Sequence, residues 1–79
     1  MAAKNDPQTV EFETRAKNLL KAELKRKGVT YAQLAEKLAA MDIHETERNL
    51  NNKISREGFS AAFLLQCLRA IGAHTLQLD

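Results

Sequence analysis

Along four stretches of the chain, apolar residues return every three or four positions, and capping residues or glycines separate the stretches. In the first, Phe12, Ala16, Leu19, Leu20 and Leu24 share one helical face. Asp6 offers an N-cap, and Pro7 stands where its missing N–H costs nothing. Gly28 supplies a stop, so the pattern predicts helix 1 over Gln8 to Lys27. In the second, Thr30 and Gln33 have the spacing of a capping box, with Val29 and Leu34 as the hydrophobic staple around it. Tyr31, Leu34, Ala35 and Leu38 then line one face of helix 2. The device repeats at Phe59, Ser60 and Leu64, which open helix 4 and run it to Gly72. Between these lies helix 3. Its caps are Asp42, His44 or Thr46, with a start expected between Asp42 and Glu45. Leu50 and Ile54 form its inner face, preceded by Ile43, and Gly58 ends it.

The remaining tail, 73–79, alternates at Leu76 and Leu78. Two readings stand: a short strand that needs a partner such as its copy in a second chain, or an extended tail with both leucines on the core. The expectation is an all-α fold, a compact four-helix domain over residues 8–72. It is flanked by a flexible N-terminus at 1–7 and the tail, which as a strand would make a fifth element. No repeat or low-complexity tract interrupts it.

Composition narrows the class. With 79 residues, 44% of them hydrophobic and 28% charged, the chain is long enough for one thin core and too hydrophobic for disorder as the default. No apolar run approaches the roughly 18 residues of a membrane span. Residues 1–7 hold no apolar run of a signal peptide. The lone Cys67 has no internal partner, which suits a reducing compartment. The expectation is a cytoplasmic protein.

The net charge of +2 hides two basic zones around an acidic one. Arg15, Lys17, Lys21, Lys25, Arg26 and Lys27 face only Glu23. Glu36, Asp42, Glu45 and Glu47 then outnumber Lys37, before Arg48, Lys53, Arg56 and Arg69 follow with Glu57. With Leu50 at the centre of the buried face of helix 3, Arg48, Asn49, Asn52, Ser55 and Arg56 fall on the opposite face together with Glu45. Asparagine and arginine carry the donor and acceptor spacings that match adenine and guanine edges in the major groove. Asn49, Asn51 and Asn52 in one helix also run against propensity. The plainer reading is a solvated polar face.

Several stretches resemble a known family. Val29 to Leu38, with its threonine cap and Leu34-Ala35 pair, resembles helix 2 of the Cro/C1 (phage-repressor-like) helix-turn-helix superfamily. Asn52 to Ser60 is similar to that superfamily's recognition-helix end, glycine turn and capped next helix. Leu64, Leu65, Leu68, Ile71 and Gly72 resemble the leucine-rich helix that follows. Lys53-Ile54-Ser55-Arg56, Phe59 to Phe63 and Gln66-Cys67-Leu68 resemble, more closely, short bacterial proteins classed as a domain of unknown function, over Ala16 to Gly72. The sequence also departs from the superfamily. Ala39 stands where its turn has glycine, and Glu45 and Arg48 stand at apolar positions. The connection from Ala39 to His44 is longer than usual. Tyr31 replaces a glutamine that in the superfamily contacts phosphate, with Gln33 two places later.

The resemblance implies a bacterial transcriptional regulator on double-stranded DNA. Arg48, Asn49, Asn52 and Arg56 would read bases, while Lys53, Ser55, Tyr31 and Gln33 would position the backbone. Helix 4 carries a broad apolar arc, which suits either the central helix of the domain or a dimer interface formed by Phe63, Cys67 and Ala70, extended by Leu76 and Leu78. A homodimer would present two recognition helices to successive half-sites. The alternative is a protein-interaction module on the same fold, using helix 4 and the tail. Catalysis finds little support. His44 and His74 are far apart, and one cysteine with two histidines does not reach the spacing of a metal site. Gly28, Gly58 and Gly72 each follow a helix instead of forming a phosphate loop. Neither a cofactor nor a small-molecule ligand is expected.

Overall fold

A computed structural model describes residues 6–78, in which four helices follow one another: α1 (Pro7–Lys27), α2 (Tyr31–Ala39), α3 (Glu47–Arg56) and α4 (Ala61–Ala70). The expected flexible N-terminus at 1–7 lies outside the described residues except for Asp6 and Pro7, as does Asp79 of the tail. Those two residues are ordered as the helix start: Asp6 accepts the Gln8 amide at 2.8 Å and α1 begins at Pro7, one residue before the expected boundary. The 21 residues of α1 span about 31 Å at the α-helical rise. That is most of the longest dimension of the molecule, 36 Å.

The core draws on all four helices. Leu20 and Leu24 of α1, Leu34 and Leu38 of α2, Leu50 and Ile54 of α3, and Phe63, Cys67 and Leu68 of α4 meet there, with Ile71 closing the far end. α2 packs on both α3 and α4, and α1 packs on α4. Both burying leucines of α1 sit in its C-terminal half, so the N-terminal half projects beyond the core with Val10 and Phe12 exposed.

The capping predictions are realised. Thr30 accepts the Gln33 amide at 3.2 Å while the Gln33 side chain accepts the Thr30 amide at 2.9 Å, a complete capping box. Ser60 accepts the Phe63 amide at 3.0 Å. Val29 and Phe59, the outer halves of the two staples, rest against the core. Both caps satisfy amide groups that the first turn of a helix leaves without partners, Thr30 at Gln33 and Ser60 at Phe63.

The start of α3 differs from the expectation. It lies at Glu47, with Thr46 as the cap accepting the Asn49 amide at 3.0 Å. Asp42 is drawn into a different task. At φ +62° it closes the end of α2, where the Asp42 amide donates to Ala39 and the Ile43 amide to Leu38, both at 2.9 Å. This is the paired-bond ending in which a left-handed residue, usually glycine, follows the last turn. A left-handed residue is not extended, so it lacks the geometry to open the next helix. The chain therefore needs residues 40–46 to pass from α2 to α3, and the connection is long, as the sequence implied. Because glycine adopts this conformation without a Cβ penalty, Asp42→Gly is expected to raise stability by about 0.5 kcal/mol. Losing the exposed His44–Asp42 contact changes this little. A higher urea midpoint at unchanged slope checks it.

The tail does not form a strand within the chain. Residues 73–78 are irregular; Leu76 packs on the core, but Leu78 is exposed and its carbonyl accepts a bond from the Arg15 side chain at 3.0 Å. Ala73 closes α4 by donating to Leu68, so the tail leaves α4 already turned toward α1.

Candidate nucleic-acid interface

Because Leu50 and Ile54 are fully buried, every residue on the far side of α3 is pushed to solvent. Arg48, Asn49, Asn52, Ser55 and Arg56 are all exposed there. Asn49, Asn52, Lys53 and Arg56 border one shallow depression, and Tyr31, Thr46, Glu47, Arg48 and Asn51 border a second. The side chains expected to read bases are thus brought to one surface. Arg48 and Arg56 have no carboxylate within ion-pair distance among the described residues.

The expected backbone-contacting residues separate. Tyr31 is at the second depression, half-buried, and burial raises its phenol above the ordinary value against an opposing pull from Lys17. Gln33 uses its side-chain oxygen in the capping box. Ser55 donates to the Asn51 side chain at 3.2 Å, on the flank of the face. Lys53 reaches the first depression with its ammonium already engaged: it pairs with Glu45 and lies 5.1 Å from the centre of the Phe63 ring. Glu45 itself is not on the α3 stripe, since the helix begins two residues later and its side chain turns back under Lys53. The one carboxylate expected to disturb the stripe is therefore removed from it.

Residues 12–76 match a family described as a domain of unknown function (DUF6471). The chain belongs to this family. No curated protein and no solved structure matches the chain. The family match runs from Phe12 in α1 to Leu76 in the tail, so the matched stretch contains α2, α3 and α4 whole and α1 from its sixth residue on.

Expectations for a dimer face are corrected by burial. Phe63 is 7% exposed and Cys67 is fully buried, both inside their own chain's core. Ala70 and Leu76 pack against that core, leaving only Leu78 of the five open to solvent. The wide apolar arc of α4 exists because α4 is the helix that both α1 and α2 pack against. Its exposed large apolar residue is Leu65 instead. Burial also pushes the Cys67 thiol up to about 12, with repulsion from Glu45 adding to it and Lys53 opposing. Such a thiol is inert as a nucleophile at neutral pH.

Two features were not read from the sequence. One is a groove of about 490 Å³ between the projecting half of α1 and the start of α4, walled by Phe12, Ala16, Phe59 and Leu64. The five-residue run of small and apolar positions at Phe59 to Phe63 hinted at it, but the groove depends on how far α1 overhangs. The other is Glu57. It ends α3 at φ +65° and ψ −178°, a backbone region that side chains rarely adopt. Its carboxylate accepts from Thr14 at 3.1 Å and pairs with Lys17 at 2.8 Å. The Lys17 hydrogen bond, with help from Thr14, holds this carboxyl below the usual range in spite of partial desolvation. Two residues of α1 therefore fasten the far end of α3.

Proposed function

We propose that the chain is a non-enzymatic DNA-binding protein, a small bacterial transcriptional regulator that works as a homodimer and reads the major groove with α3. The observation that carries this reading is the outer face of α3, which gathers Arg48, Asn49, Asn52 and Arg56 with both guanidinium groups free of carboxylates among the described residues. Free guanidinium groups retain all their donors for guanine edges or phosphate, and asparagine amides suit adenine. Lys53, held by Glu45, is left to steady the α3–α4 seam, so of the expected backbone contacts the task falls chiefly to Tyr31. The homodimer part of the proposal draws on Leu65 and Phe12, large apolar side chains 65% and 52% exposed.

The test is fluorescence-anisotropy binding to random duplex DNA across a salt series, for the wild type and for Arg48→Ala/Arg56→Ala. The expected result is salt-sensitive binding that weakens about tenfold or more in the variant. Wild-type binding that the double substitution leaves unchanged would remove α3 from the interface.

A second reading, an interaction module on the same fold, draws on the apolar groove beside Phe12, with a second copy of the chain as its occupant. Under it, Phe12→Asp and Leu65→Glu would dissociate the protein in sedimentation while the arginine pair would matter to nothing.

A further inference from the structure

The basic half of α1 sorts itself by partners. Lys17 pairs with Glu57, Arg26 pairs with Glu23 at 2.6 Å, and Lys27 donates to the Gly72 carbonyl at 3.3 Å. Lys21 and Lys25 have no ion-pair partner among the described residues, and they stand one turn apart on an exposed flank. Their place is as telling as their freedom. Lys21 and Lys25 border a depression of about 260 Å³ whose other edge is formed by Val29, Thr30 and Tyr31. Tyr31 also borders the depression that contains Arg48 and Asn51. One aromatic side chain thus joins the free lysines of α1 to the free arginine at the start of α3.

Resting on the DNA-binding reading, we infer that Lys21, Lys25 and Tyr31 form a phosphate clamp. This clamp grips the backbone of the same duplex whose bases α3 reads. Lysine suits the task because its ammonium is a flexible point charge that neutralises phosphate without demanding a fixed geometry. Tyr31 contributes a hydroxyl and a rigid ring between the two cationic groups. The carboxylate bordering this strip is Glu47, at the first position of α3. It limits how tightly the strip holds an anion.

The experiment is binding of a selected duplex and a random duplex across a salt series, with circular dichroism confirming that each variant keeps its helices. Neutralising each lysine that contacts a phosphate shallows the log–log salt slope by about 0.9. Lys21→Gln/Lys25→Gln is therefore expected to shallow it by about 1.8 and to weaken both duplexes by the same factor, roughly tenfold or more. Glu47→Gln should strengthen binding to both. An unchanged slope in the lysine variant, while Arg48→Ala/Arg56→Ala still weakens binding, overturns the clamp and leaves the α3 reading intact. A changed ratio between the two duplexes also overturns it, because backbone contacts carry no sequence information. If the wild type binds neither duplex at low salt, the α3 reading fails and the clamp with it.

Discussion

Replacing Leu50 by alanine is expected to cost about 2–5 kcal/mol, through lost apolar burial and the cavity left behind. Leu50 has no exposed surface and sits where α3 meets α2. A chain of this length has a total stability on the order of 4–12 kcal/mol, so the variant should lie at the edge of folding. Its thermal midpoint should fall by roughly 10 °C or more. Asn52→Ala, two residues away on the outer face, should shift stability by no more than about 0.5 kcal/mol. Under the proposed function, it should nevertheless cost about 1–3 kcal/mol of binding to the preferred duplex. Paired thermal melts and binding titrations check both. If Asn52→Ala left specific binding intact, Asn52 would not be a base contact.

Cys67 is expected to resist thiol reagents in the folded protein almost completely. It is fully buried, and burial raises its thiol pKa to about 12, so neither access nor thiolate is on hand at neutral pH. Reaction then requires opening of the α4 side of the core. The labelling rate should fall below that of the unfolded chain by roughly 10³-fold or more, following the fraction of molecules that open. Labelling with Ellman's reagent in water and in denaturant measures the ratio. Rapid labelling of the folded chain would place Cys67 at an open surface and restore it as an interface residue. Leu50→Ala should speed the reaction by the factor that it removes from stability.

Much of the fold was legible because its signals are local. The capping pairs at Thr30 with Gln33 and at Ser60 with Phe63 lie within four residues, and backbone chemistry settles them. The inner faces of α2 and α3 followed from Leu34, Leu38, Leu50 and Ile54 by period alone. The start of α3 was less legible because Asp42, His44 and Thr46 compete as caps. That contest was settled by the way α2 ends, where Asp42 takes the left-handed position. The outer face of α3 was readable from Leu50, but the state of its charges was not. Whether Glu45 lies beside Arg48 or beneath Lys53 depends on a helix boundary two residues away. For α4, the apolar arc gave the count of apolar residues but left two neighbours open, the rest of the domain or a second chain; Phe63 and Cys67 lie in the core of their own chain. A hydrophobic face records that something covers it, while only tertiary packing says what.

Glu57 gives α3 an unequal suspension. Its leading end follows the long 40–46 passage, while its trailing end is bolted to α1 through Thr14 and Lys17. A rod held this way has its aim set at the bolt. For a helix that reads DNA, the residues that decide the angle of approach would then include Thr14 and Lys17, which touch no base. Altered specificity could arise from α1 without any change in the side chains of the reading face.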